Sequence, residues 1–459
     1  MRHQSFAIYS TRVVTPYGVR PAAVLIEEEK IAGIVANDQI PSHYIIEDVG
    51  GLVVMPGLVD THVHINEPRW GEQWEGFETA TKAAAAGGIT TLVDMPLNSL
   101  PVTTTPDALR KKLAAAEGKL YVDCGFHAGL IPGNANNIPA LLDAGVLGVK
   151  AFLVHSGIDE FPNATEDDLR TAMPYIAQSG APLLVHAELI DHNPKSPIAN
   201  PRSYSSYLSS RPRKWEQNAI ELMIRLCREY NCRTHIVHLS SADAIPALKQ
   251  ARAEGLPLTV ETCPHYLCFS SEEITDGDTR FKCAPPIREQ ENRKRLWDAL
   301  NTGVIDFIVS DHSPCPPAMK LLETGDFQKA WGGIASLQLG LSIVWTEARQ
   351  RRFTMEHLAN WMCKRPAEFI GLAKRKGTIA PGFDADIVVW DPDKNFTVST
   401  DMLLHRHRLT PYEGRALFGT ITQTYLRGRR IFGDGVAISE PSGQILRRQI
   451  ATANMVNSN

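Results

Sequence analysis

Six residues in this sequence have side chains that can hold divalent cations, and most fall at the end of an apolar run. Asp60-Thr61-His62-Val63-His64 closes the first such run. In an extended strand, residues i and i+2 project to the same side, so His62 and His64 can grip one ion together. An HxH pair alone is more often a surface or core feature. The same holds singly for His186, closing Leu183-Leu184-Val185-His186, and for His238, closing His235-Ile236-Val237-His238. Asp311 adds a carboxylate at the end of Asp306-Phe307-Ile308-Val309-Ser310-Asp311, where it can serve as both ligand and base. Lys150 lies among the apolar residues Val146-Leu147-Gly148-Val149 and Ala151-Phe152-Leu153. A buried lysine must be paired or neutral, and an ion pair or a snorkelling side chain is the plain explanation. A neutral amine can instead react with CO2 to give a carbamate, an anionic oxygen donor able to bridge two metals. Four imidazoles and one carboxylate leave two divalent cations under-neutralised, so such a site has use for a second anion. The donor set suits zinc, with cobalt or manganese as alternatives. Two ions about 3.5–4 Å apart would make water nucleophilic at neutral pH.

The elements that must position these residues alternate along the middle of the chain. Eight strand candidates are Leu58–His64, Ile89–Met95, Tyr121–His127, Val146–Leu153, Pro182–His186, Thr234–Leu239, Leu256–Thr262 and Val304–Asp311. Helical patterns lie between them, such as Pro106–Glu117 and Trp215–Tyr230. Eight βα units predict an α/β chain folded as a TIM (β/α)8 barrel, whose chemistry gathers at the C-terminal strand ends. The candidate ligands then share one rim. Both chain ends read as short strands and turns. Phe6-Ala7-Ile8-Tyr9 and Ala23-Val24-Leu25-Ile26 flank the turn signal Thr15-Pro16-Tyr17-Gly18, and Ala385–Trp390 and Ile421–Leu426 are strand-like. The expected organisation is a small β-sandwich from residues 1–54 and 376–459, beside a barrel over 55–375.

Bulk properties exclude other classes. Lys plus Arg number 47 against 51 Asp plus Glu, a formal net charge of −4, which argues against nucleic acid or an acidic membrane as partner. No apolar run approaches the ~18 residues needed to span a bilayer. The eight cysteines form no CxxC pair, and the start reads directly into a strand-like stretch. A reduced, cytoplasmic protein is expected.

The segment Val54-Met55-Pro56-Gly57-Leu58-Val59-Asp60-Thr61-His62-Val63-His64 resembles the opening of the cyclic-amidase branch of the amidohydrolase superfamily. Gly382-Phe383-Asp384-Ala385-Asp386-Ile387-Val388-Val389-Trp390-Asp391 extends the resemblance to essentially the whole chain. It implies metal ligation by His62, His64, a carboxylated Lys150, His186, His238 and Asp311. Dihydroorotases typically carry an arginine where this chain has Asn66, and hydantoinases a tyrosine where it has His155. The remaining motifs are similar to those of allantoinases: Trp74-Glu75-Gly76-Phe77, Asp94-Met95-Pro96-Leu97-Asn98-Ser99, Lys282-Cys283-Ala284-Pro285-Pro286-Ile287-Arg288, Ser310-Asp311-His312-Ser313-Pro314-Cys315, Trp331-Gly332-Gly333-Ile334 and Leu409-Thr410-Pro411-Tyr412-Glu413-Gly414.

This likeness implies a binuclear-metal hydrolase that opens the cyclic amide of allantoin to allantoate, with Asp311 as general base turned acid. A hydantoinase or dihydropyrimidinase activity is the alternative. A non-catalytic scaffold on the same fold is disfavoured because no ligand is missing. Asn98, His155, Ser156, Cys283 and Ser313 are the expected pocket walls, although loop packing would explain each as well. Families of this type usually form homotetramers. The second HxH, His405-Arg406-His407, lacks a carboxylate on a nearby strand end and is not expected to bind metal. His127, His265 and His312 are expected near the rim, in supporting or structural roles, and Cys263 and Cys268 as small packed hydrophobes.

Overall fold

A computed structural model describes residues 5–68, 74–190, 200–437 and 440–448. Its centre is a parallel sheet of eight strands taken in chain order: β1 (Leu58–Val63), β2 (Ile89–Asp94), β3 (Asp123–Gly129), β4 (Gly148–Phe152), β5 (Leu183–His186), β6 (Thr234–Ile236), β7 (Leu258–Thr262) and β8 (Phe307–Ile308). The sheet closes on itself where Val63 bridges His312 in parallel and the His64 amide donates to the His312 carbonyl at 2.8 Å. This is the expected barrel. Its strands are buried almost throughout, which is why they read as continuous apolar runs rather than as alternating ones.

β6 and β8 each end three residues before the sequence suggests, and the reason bears on the site. β6 stops at Ile236 and β8 at Ile308, because the backbone beyond each leaves the ladder. His238 (φ 39°) and Asp311 (φ 44°) both sit in the left-handed region. Such a conformation costs about 1–3 kcal/mol for a non-glycine residue and persists where the surroundings dictate it, often at functional sites. The helices behave more simply. α1 (Pro106–Ala116) starts with Pro106 in its first turn and the Thr105 hydroxyl accepting from the Ala108 amide. α2 (Glu166–Ser179) opens on a reciprocal Thr165–Asp168 capping box, and α3 spans Arg213–Tyr230.

The chain ends join in a second sheet of nine strands. Val53–Pro56 pairs antiparallel with Ile387–Thr397 and parallel with Phe6–Thr15. Gly57 alone separates Val53–Pro56 from β1, so this sheet runs straight into the barrel strand that carries His62. A buried charge cluster fastens the two units. Lys376 Nζ lies 2.6 Å from Asp386, 2.8 Å from Asp123 at the start of β3, and 3.2 Å from Asp384, while Arg427 also pairs with Asp123. The last described residues complete the barrel floor. β4 pairs with β3 only from His127 onward, and the segment Gln444–Leu446 occupies the gap below. The Cys124 amide donates to Gln444 and the Leu446 amide to Cys124, at 2.9 and 2.8 Å. Among the described residues no helix is long and apolar enough to cross a membrane.

Candidate metal centre and catalytic pocket

The rim brings the predicted donors together. His62 Nε2 lies 3.2 Å and His64 Nε2 3.5 Å from one oxygen of Asp311. Across the rim, His186 Nδ1 and His238 Nε2 meet at 3.0 Å, and the His62 ring centre lies 5.4 Å from that of His238. One donor atom each from His62, His238 and Asp311 falls within a 4.8 Å set. Lys150 stands fully buried on β4, its amine 5.0 Å from the Phe152 ring centre and without a hydrogen-bond partner.

His62 and His186 are held by their outer faces. His62 Nδ1 lies 2.5 Å from Glu261 Oε1 on β7. Glu261 also binds His235 Nε2 at 3.0 Å and accepts the His238 amide at 3.3 Å. His186 Nε2 meets Glu188 at 2.8 Å, and Glu188 is clamped in turn by Arg211. With a carboxylate taking the outer N–H, the inner nitrogens of His62 and His186 keep their lone pairs for the rim. Asp60 ties the backbone beneath, accepting the His62 and Ser310 amides at 3.1 Å each. Burial pushes its carboxyl up to about 7.

Electrostatics agree with neutral donors. Burial, reinforced by the charge on Lys150, holds His62 well below the ordinary imidazole range. His238 is lowered in the same way, by burial and then by His186 and Lys150. Burial also draws the Lys150 amine down to about 8, against the opposing pull of Asp311 and Glu261. Converging lone pairs, an anionic acceptor and an unpartnered buried amine suit divalent cations.

The donors lie on the wall of a cavity of about 590 Å³, lined by His62, His64, Lys150, His186, His238 and Asp311 together with Asn98, His155, Ser156 and Ser313. Cys283, the fifth expected pocket residue, is not on that wall. Its thiol turns to the Pro285 carbonyl at 3.3 Å, and its neighbours Lys282 and Ala284 line the cavity instead. Ser156 reaches the cavity, but its hydroxyl donates to the Phe161 carbonyl at 2.6 Å. His155 is exposed and lies 3.3 Å from Asp159. Asn98 is buried, with an unpartnered side-chain oxygen and its amide 3.5 Å from His64 Nδ1.

Among the described residues the remaining histidines stay off the cavity wall. His127 Nε2 donates to the Thr61 carbonyl at 3.2 Å, and burial lowers its ring to about 3. His312 Nδ1 accepts the Ser336 amide at 3.2 Å and packs against His405, the first histidine of the second HxH. Sequence reasoning missed Glu261, Glu188 and Arg211. The first two carried a usable signal: an acid inside the apolar Leu258–Thr262 strand, and an acid two residues beyond His186.

The chain matches the family model described as "Amidohydrolase family" over residues 53–431. It is 49% identical over 450 residues to the allantoinase of Streptomyces avermitilis, covering 98% of this chain and all of that protein. It is 44% identical over 445 residues to the allantoinase of Saccharomyces cerevisiae, covering 96% and 94%. Among solved structures, the L-hydantoinase (dihydropyrimidinase) of Arthrobacter aurescens superposes with a TM-score of 0.89 at 31% identity, over 96% of this chain and all of that one. The family match covers most of the chain, and the fold is shared with the solved hydantoinase. The protein belongs to the amidohydrolase family.

Proposed function

We propose that the protein is an allantoinase, hydrolysing the cyclic amide bond of allantoin to give allantoate. The observation that carries this reading is the convergence of four imidazoles and Asp311 around a buried, unpartnered lysine on the wall of one open cavity. Likeness to allantoinases at up to 49% identity over nearly the full length supports the substrate. His62, His64, Lys150, His186, His238 and Asp311 are the proposed ligands of two divalent ions. Zinc is favoured over cobalt or manganese, with Lys150 carrying a carbamate. When bound, these ions supply Lewis acidity and lower the pKa of water toward neutrality.

The protein's own groups supply the rest. Asp311 is placed to take a proton from the attacking water and return it to the departing ring nitrogen. Its left-handed backbone, beside the closure of β8 on β1, holds the carboxylate over the rim. Glu261 and Glu188 fix the ring orientations of His62 and His186, so their inner nitrogens need no reorganisation. Asn98 offers an amide and Ser313 a hydroxyl to a ring or ureido group in the cavity. The barrel over 55–375 is the proposed catalytic unit. Eight unpaired cysteines support a reducing compartment such as the cytoplasm, and the proposed assembly is a homotetramer.

A hydantoinase is the second reading, favoured by the likeness to the Arthrobacter enzyme. Rates on allantoin, hydantoin, dihydrouracil and dihydroorotate, each with zinc, cobalt and manganese, separate the two. Allantoin is expected to lead in kcat/KM by about tenfold or more, which corresponds to ~1.4 kcal/mol of transition-state preference. A faster rate on hydantoin or dihydrouracil overturns the assignment.

A further inference from the structure

Beyond the histidine rim, a second cluster gathers at the end of β7. Cys263, His265 and Asp311 each offer one donor atom, and the three atoms lie within 4.8 Å of one another. Cys263 is fully buried and unpaired, directly after the last residue of β7. The short helix Pro264–Cys268 begins at Pro264, which fixes the backbone between the cysteine and His265. His265 is 1% exposed, and neither of its ring nitrogens has a hydrogen-bond partner among the described residues. A buried imidazole left unsatisfied on both sides is costly, and such a group in a native fold calls for a ligand.

We infer that Cys263, His265 and Asp311 form a third cation site, separate from the two proposed at the histidine rim, that captures a thiophilic divalent ion and thereby inhibits the enzyme. The donor set of one sulfur, one nitrogen and one oxygen suits zinc or cadmium and disfavours magnesium or calcium. Three protein ligands leave a fourth position for water. Binding displaces the thiol proton, which leaves to solvent, and involves no redox change. Asp311 is the shared member. An ion held by Cys263 and His265 ties up the carboxylate that must accept a proton, so occupancy and turnover exclude each other. The inhibitory half of this inference rests on the role proposed above for Asp311; the binding half does not.

The test uses the full-length protein loaded with its two resident ions and titrated with Cd2+. Total metal per chain, measured after gel filtration, is expected to rise from two to three. A thiolate-to-cadmium charge-transfer absorption is expected to appear over the same range, while allantoin turnover falls in parallel. Cys263→Ser is expected to keep the two resident ions and its turnover, and to lose both the third equivalent and the absorption. His265→Gln is expected to weaken cadmium binding by about tenfold or more, and provides the test if the serine variant does not fold. Cadmium that only replaces resident metal, leaving the total at two, overturns the inference. So does a third ion that Cys263→Ser retains. The metal count and the absorption need no substrate, so a protein that binds the third ion but leaves allantoin intact refutes the proposed activity alone.

Discussion

Glu261 offers a graded perturbation of the metal rim. One oxygen, Oε1, faces both His62 Nδ1 at 2.5 Å and the His238 amide at 3.3 Å; the other, Oε2, faces His235 Nε2 at 3.0 Å. Glutamine can reproduce the first pair of contacts with its carbonyl, but it then presents an NH2 to His235. That ring can respond. Its Nδ1 lies 2.8 Å from the Thr259 hydroxyl, which can change from donor to acceptor, so the His235 proton moves to Nδ1 and Nε2 accepts from glutamine. Glu261→Gln therefore keeps the His62 tautomer and loses only the charge behind it. Glu261→Ala loses the orientation as well and leaves His62 Nδ1, His235 Nε2 and the His238 amide without the acceptor they share. Partners of this kind are worth about 10- to 100-fold in metal affinity, and each tenfold is ~1.4 kcal/mol. The glutamine variant is expected near the lower end, about 1.4 kcal/mol, and the alanine variant near the upper, about 2.8 kcal/mol. Competition with a chelator of known affinity reads the difference directly. Equal losses in the two variants, or none in either, would refute the tautomer argument.

Four other expectations follow from the same geometry. Asp311→Asn should lower turnover of allantoin by about 10²- to 10⁴-fold, the span of general acid–base catalysis, with the thermal midpoint little changed. Lys150→Met should leave fewer than two ions per chain by metal analysis and reduce turnover by about 100-fold or more, at least the loss typical of an outer partner. Lys376→Met leaves the buried Asp386 without a cation and takes one partner each from Asp123 and Asp384, and should cost about 3–5 kcal/mol in denaturant unfolding, part of which Asp386→Asn restores when added. Burial raises the Asp384 carboxyl, but Lys376, Lys30 and Arg375 outweigh it and hold the group below its ordinary value of 3.8. Its contribution is therefore present above that value and is lost as pH falls through the lower folded value; unfolding free energy measured below pH ~4 should decline less steeply in Asp384→Asn.

How much of this was legible in the sequence depended on whether a residue announced itself locally. The eight barrel strands did, because a strand covered on both faces is apolar without interruption, and His62, His64 and His186 stand at or just past the ends of such runs. Asp311 and His238 were found as residues, yet their strands stop three and two positions earlier. The left-handed backbone that places them leaves no compositional trace, since neither is glycine. Glu261 escaped notice because an acid in a strand gains meaning only from His62 and His235, which reach it from other strands. Cys283 was misplaced on the cavity wall because a loop residue's direction depends on its local turn. Here the thiol follows the Pro285 carbonyl, and the flanking Lys282 and Ala284 take the wall.

The segment that plugs the seam between β3 and β4 has a practical bearing on how the protein can be handled. Gln444 to Leu446 pair with Cys124 as though they were one more strand, and Leu446 is buried against the core. Cutting the chain before Gly443 would bare an unpaired strand edge on a parallel barrel, the kind of template on which a second molecule adds and precipitation starts. Purification tags, reporter fusions and immobilisation linkers therefore belong beyond residue 448. A preparation that clumps after C-terminal trimming would have lost its seal while its catalytic rim stayed whole.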